Sequence, residues 1–394
     1  MIKIKSDNLP FTEFTSNLLL ILFLIYFFLF NISNYSSIMF FVKITLLISI
    51  LTLKFLKIKD SSFSIKPLLS NDLILFLFFN LFILLSLIWT QNFQFGIKKF
   101  IHLIIQTLTV LSFLFLLSNN SFSQKQIKLF FYSIISITSL MAVFILIFSP
   151  YSFENFNIKR NFFLTHVYTG RLLSFVLLIL LITKIKSLKK INVFLIIIYS
   201  LALTLTAYRT AIIAILISTI LFYVFNFIQK REKPGIKVLI FTLSMLAGLF
   251  ISENLNERLP QNNFTDFSSD LSIISRLNAI EEGLKIWKAN PVLGGGFGSF
   301  LTTDESNPLR KTLKYPHNIF IETLAELGLL GFLLLLLMLY KSLNSAYREG
   351  AFYFSFFIYL LIFSLTSKDL TINFILLIFP FIISRTSGIL KNYI

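Results

Sequence analysis

The chain has 394 residues, 56% of them hydrophobic and only 13% charged, with 49 phenylalanines and a mean hydropathy of +0.83. No water-soluble fold has enough interior to hide that much apolar surface. The formal net charge of +17 must be divided between two sides of a bilayer before it carries meaning, so nucleic acid is not its expected partner; zero cysteines exclude disulfides and thiolate metal sites, and three histidines argue against a histidine-rich one.

Apolar runs recur at close to the ~20 residues that carry a helix across a ~30 Å hydrocarbon layer, without the short alternating strands of an outer-membrane barrel. The chain therefore reads as an all-α polytopic membrane protein. Residues 1–15 are polar and mildly basic and resemble no cleavable signal, so the first apolar run is expected to stay as an anchor. In chain order the predicted spans are 17–34, 36–56, 72–90, 100–118, 129–149, 170–184, 191–208, 210–228, 236–252, 318–340, 351–366 and 370–385, about twelve transmembrane helices. The second contains Lys43 and the sixth opens with Arg171, which makes them the poorest matches to an apolar run. Residues 1–252 thus hold nine spans, 253–317 form one long loop, and 318–394 hold three more spans.

If Lys3 and Lys5 are cytoplasmic, the connections on that side collect more than half of the 35 lysines and arginines, as the positive-inside rule requires. Both termini then lie in the cytoplasm and the long loop lies outside. The outer cations are the ones that rule leaves unexplained. Arg209 sits in a tight hairpin turn, Thr206-Ala207-Tyr208-Arg209-Thr210; His166 and Arg171 flank the start of the sixth span; Arg258, Arg276, Lys285, Lys288, Arg310, Lys311 and Lys314 lie in the long loop. Guanidinium groups gathered at an outer interface suit an anionic ligand at headgroup depth, a phosphate or diphosphate above all. The plainer alternatives are an Arg209 that snorkels to the interface and an Arg276 that is solvated.

Within the long loop, Leu277, Ile280, Leu284 and Trp287 recur at helical spacing, which predicts an amphipathic helix over 275–289, capped by Ser272 or Ser275 and ended by Asn290-Pro291. Arg276 at its start opposes the helix dipole unless an anion is present. Gly294, Gly295, Gly296 and Gly298 supply a turn whose backbone can approach a ligand or another helix closely. It is no dinucleotide fingerprint, because Ser299 stands at the third glycine position, and the chain has neither a GxxxxGK[ST] nor an Asp-x-Asp pair. No nucleotide, metal ion or other cofactor is expected. His317, after Pro316 and at the start of the tenth span, has an ordinary imidazole pKa of ~6.5 that suits proton transfer near neutrality. Glu322 and Glu326, four residues apart in the same span, are either functional acids or partners of a Lys or Arg on a neighbouring helix. His102, inside the fourth span, reads as a packing residue.

Arg209-Thr210 at a helix hairpin, Arg276-Leu277 with Trp287, Asn290-Pro291 and Leu293-Gly294-Gly295-Gly296-Phe297-Gly298, then His317-Asn318 followed by Leu324-Ala325-Glu326-Leu327-Gly328 and Gly331, form an ordered set. Together they resemble the O-antigen ligase and O-antigen polymerase family over residues 195–340. The resemblance implies a GT-C-like glycosyltransferase that takes a glycan from undecaprenyl diphosphate at the periplasmic face of the inner membrane, with no metal ion. It implies diphosphate binding for Arg209 and Arg276 and help to the acceptor hydroxyl from His317. His166 to Arg171 resembles a helix-opening motif of some members only loosely; with Glu322 and Glu326, His166 and Arg171 form a secondary set. The acceptor is a lipid A core sugar in the ligases and another lipid-linked repeat unit in the polymerases, and about twelve spans with the long loop between the ninth and tenth match the ligase layout. A transporter or flippase of a lipid-linked anion is the alternative from another class. Such proteins often carry paired interrupted helices, and no such pair is legible in the sequence.

Overall fold

The computed structural model describes residues 9–30, 37–58, 70–118, 122–148, 166–183, 191–229, 235–251, 271–301, 315–366 and 369–390. Over these the chain is helical, without strands, and the helices follow the apolar runs: α1 Leu9–Phe30, α2 Ser37–Ile58, α3 Asn71–Ser86, α4 Phe93–Ser118, α5 Gln124–Phe148, α6 His166–Ile182, α7 Asn192–Leu205, α8 Arg209–Ile228 and α9 Ile236–Ile251. Then come α10 Leu271–Ala289 (the amphipathic helix), α11 Ile319–Glu349, α12 Ala351–Thr366, α13 Leu370–Asn373 continuing as a 3-10 turn Phe374–Leu376, and α14 Phe379–Leu390. Arg258, Arg310, Lys311 and Lys314 lie outside the described residues, as do most of the loop lysines used above for orientation.

Burial is inverted relative to a water-soluble bundle. On α8, Ile213, Ile217, Ile220 and Val224 form an exposed stripe, while Thr210, Ala211, Ala214, Ser218, Thr219 and Asn226 face inward. In α3, Leu77, Phe78, Leu81 and Leu84 are exposed, whereas Asn80 and Ser86 are buried and return their hydrogen bonds to the carbonyls of Phe76 and Ile83, both at 2.7 Å. Lipid tails solvate Leu and Ile as well as a protein core does, so small and hydroxylated residues, which let backbones approach, take the helix interfaces. Among the described residues four helices are long and apolar enough to cross a membrane on their own, Phe93–Leu117, Gln124–Ile147, Arg209–Ile228 and Ile319–Glu349, joined by several shorter apolar helices. The chain is a multi-pass membrane protein.

Two apolar clusters share one helix. The first joins α5 to α9 through residues such as Leu177, Tyr199, Ala202 and Ala214; the second joins α3, α4, α11, α13 and α14 through Phe76, Phe79, Phe374 and Phe379. Helix α12 enters both, with Tyr359 and Phe363 in the first and Tyr353 and Phe357 in the second. The two ends of the bundle differ in character. At one end, the Lys237 ammonium donates to the carbonyls of Leu180 (3.0 Å) and Thr183 (2.7 Å), closing the C-terminus of α6, and Lys341 pairs with Asp72 at 3.1 Å. The other end holds the starts of α6, α8 and α11 and the finish of α12.

Candidate functional site at the α12 end of the bundle

The hairpin between α7 and α8 is as tight as its sequence demands: residues 206–208 turn the chain, with Ala207 at φ 50°. Arg209 is the first residue of α8, and its N-cap, Tyr208, supplies no side-chain hydrogen bond to the helix. The turn is locked from two sides. Thr366, the last residue of α12, donates to Thr210 Oγ1 at 3.2 Å, and a Cβ on Gly170 would stand 2.7 Å from the Tyr208 ring, so α6 closes directly on it. That contact brings Arg171 alongside. Its guanidinium lies 4.8 Å over the Phe363 ring, Nη2 donates to Asn373 Oδ1 at 3.3 Å, and Nη1 has no hydrogen-bond partner among the described residues.

Arg171 also lines a cavity of about 300 Å³ whose other walls include Phe23, Phe27, Phe113, Phe130, Phe175 and Phe356. The cavity is partly open, and its predominantly apolar wall is compatible with hydrocarbon.

His317 is held by an unusual backbone. Its φ is +60°, a left-handed conformation uncommon for any residue other than glycine, and strain of this kind gathers at functional sites. The next residue keeps it there. Asn318 caps α11 by accepting from the N–H groups of Phe320 (3.0 Å) and Ile321 (3.2 Å), and its amide donates to the carbonyl of Leu365 at 3.2 Å. Tyr315 stands edge-on to the imidazole at 4.8 Å. Leu365 and Thr366 are consecutive, so the His317-Asn318 step and the Arg209-Thr210 step are bound to the same end of α12.

The glycine segment has its mate in α11. That helix is interrupted at Gly328 (φ 63°, ψ −163°), which frees carbonyls on one side and N–H groups on the other. Gly295 and Gly296 donate to the carbonyls of Ala325 (2.8 Å) and Glu326 (2.9 Å), while Leu329 and Leu330 donate to those of Pro291 (2.9 Å) and Val292 (3.2 Å). Four of the groups freed by the interruption are thereby satisfied, which matters because an unpaired one inside a bilayer is costly. Of the two partners the sequence left open for this turn, a ligand or a helix, the helix is the one seen. Gly283 packs on Ile321 with the same sequence offset as the Pro291–Leu329 and Val292–Leu330 bonds. Consequently α10 runs parallel to the first half of α11, and its beginning, with Arg276, lies toward the His317 end.

Two expectations need correcting. Helix α10 starts at Leu271, so Ser272 and Ser275 lie inside it and cannot cap it, and Arg276 falls in the second turn. Dipole effects are confined to the first turn, so the conflict expected at Arg276 belongs instead to Arg209. Nor are the helices uninterrupted: besides Gly328, the segments Leu370–Leu376 and Phe379–Ser387 meet at a 43° bend. The sequence hid both because Leu-Gly-Leu and Phe-Pro-Phe sit within unbroken apolar runs.

Glu322 and Glu326 have the partner anticipated for them. Lys99, fully buried on α4, lies 2.6 Å from Glu322 Oε1 and 2.6 Å from Glu326 Oε2, with its ammonium 4.4 Å from the centre of the Phe297 ring. Glu322 Oε2 accepts from the Leu370 N–H at 2.9 Å, tying in the start of α13. Removing one member of such a buried set typically costs ~3–5 kcal/mol. Buried Lys43, His102 and Asp369 stand around it, so His102 is interior as expected. Sequence reading missed Lys99, since Gln94, Gly96 and Lys98 obscure the first turns of α4. Of the secondary set, His166 opens α6. On the outer face of α10, Lys285 is satisfied locally: hydrogen bonds to Glu282 (2.9 Å) and Glu281 (3.1 Å) raise its pKa. Replacing Lys285 by alanine is expected to leave both melting temperature and activity unchanged in a thermal-shift and turnover comparison.

No curated protein matches the chain in a sequence comparison. The family model described as O-Antigen ligase matches residues 193–336, a stretch that begins in α7 and takes in Arg209, Arg276, the glycine segment, His317, both glutamates and the Gly328 interruption. Over that stretch, which is less than half of the chain, the protein is similar to the O-antigen ligase family.

Proposed function

We propose that this protein transfers a glycan from undecaprenyl diphosphate to a lipid A core acceptor, at the periplasmic face of the inner membrane and with both termini in the cytoplasm. The observation that carries this reading is the anchoring of His317-Asn318 and Arg209-Thr210 to consecutive residues at the end of α12. A cation at a helix start and an imidazole on strained backbone thus share one rim of the bundle, with the start of α10 and Arg276 rising toward it.

The donor arrives activated by its diphosphate, so neither nucleotide nor metal is required. In this reading Arg209 and Arg276 hold the diphosphate and neutralise the charge that grows on it as the anomeric C–O bond breaks. An imidazole nitrogen of His317 accepts the proton of the acceptor hydroxyl as its oxygen forms the new bond to the anomeric carbon. Direct displacement of this kind inverts the anomeric centre. The lipid chain of the donor takes the aromatic cavity beside Arg171, whose unpartnered Nη1 meets the anionic head. Filling that cavity with Val110→Trp is accordingly expected to raise KM for a long-chain donor while sparing a short-chain analogue, read out by paired kinetics on the two donors.

Purified protein supplied with lipid-linked donor and acceptor tests the whole reading, and absence of product in the presence of both would sink it. A null strain separates the two family activities, since polymer left on its carrier marks a ligase and single repeat units mark a polymerase. Interrupted helices give the transport alternative one point in its favour. At Gly328, however, the glycine segment hydrogen-bonds into the interruption.

A further inference from the structure

We propose that Lys99 is a positioning residue for glycan transfer, acting through Glu322 and Glu326 on His317. The inference rests on the reading of His317 as proton acceptor. Two lysines and three carboxylates, Lys43, Lys99, Glu322, Glu326 and Asp369, are at most 1% exposed in a membrane bundle, and nothing in the transfer chemistry above uses them. Apolar side chains would join the same helices at lower cost, so adhesion does not account for these charges.

Geometry gives them another use. From α4, Lys99 reaches both acids on the first turns of α11 at 2.6 Å and the ring of Phe297 in the glycine segment; through Glu322 it also holds the start of α13. Four separate pieces of chain are drawn to one ammonium. The first turn of α11 is among them, and that turn carries Asn318, whose cap and whose bond to Leu365 keep His317 in its left-handed conformation. Lys43 from α2, His102 from α4 and Asp369 ahead of α13 complete the charged surroundings.

The test compares Lys99→Met with the triple variant Lys99→Met/Glu322→Gln/Glu326→Gln, both as purified full-length protein with lipid-linked donor and acceptor. Lys99→Met strands two buried carboxylates and should melt early and lose turnover about 10²-fold. The triple variant leaves no charge stranded and should recover its melting temperature. Its kcat should stay depressed by about 10²-fold with donor KM within about threefold of wild type. Recovery of wild-type kcat by the triple variant would show that the triad is only a clamp and overturn the role of Lys99. His317→Asn is assayed in parallel: full turnover there would refute the base assignment itself, a distinct outcome.

Discussion

His317→Asn is expected to fold and melt like the parent yet transfer glycan about 10²–10⁴-fold more slowly, the usual range for loss of a general base. Asparagine is the informative choice because it tolerates the left-handed backbone that His317 adopts at φ +60°. Alanine would mix loss of the imidazole with backbone strain. Arg209→Ala and Arg276→Ala should each lower kcat by about 10²–10³-fold, the effect of deleting one preorganised donor to a developing oxyanion. Lysine at either position should recover only part of the loss, because an ammonium lacks the planar fork that grips two phosphate oxygens. If both arginines act on one diphosphate, the double variant should lose less than the product of the two single effects. Undiminished surface polysaccharide on gels from all three single variants would remove the site assignment.

Gly328→Ala should be the most damaging substitution for the fold outside the charged core. At φ 63° and ψ −163° the residue occupies a region that is essentially glycine's alone. A Cβ there would stand 2.3 Å from the carbonyl oxygen of Val292 and 2.5 Å from the amide nitrogen of Gly294, both backbone atoms. Backbone strain alone costs about 1–3 kcal/mol, and the glycine segment would have to leave the interruption, breaking its four hydrogen bonds with α11. The expected result is a large drop in detergent-purified yield and in melting temperature. Gly235→Ala is the matched control, since none of the described residues lies within 4 Å of its Cβ, and it should be silent. Equal stability of the two variants would contradict the paired arrangement described for Pro291–Gly296 and Ala325–Leu330.

Helix positions were legible from apolar run length because a membrane span must supply ~20 apolar residues whatever its neighbours are. Errors fell where polarity interrupts a helix that continues. Helix α4 begins at Phe93 instead of residue 100, and α11 runs on through Lys341 and Arg348 to Glu349, since helical hydrogen bonding does not stop where lipid does. The sequence also singled out Arg209 and His317, and the structure ties the steps that carry them to the same end of α12.

The sequence by itself determined that the chain is a helical membrane protein and roughly where its apolar helices lie. Tertiary structure alone decided what meets what: Lys99 between Glu322 and Glu326, the glycine segment inside the interruption of α11, and α12 as the post to which both His317-Asn318 and Arg209-Thr210 are tied. The reason is physical. Helix formation and membrane insertion depend on residues within a turn or two of one another, and so leave a periodic trace, whereas Lys99 and Glu326 are 227 positions apart and no local pattern records that their charges cancel.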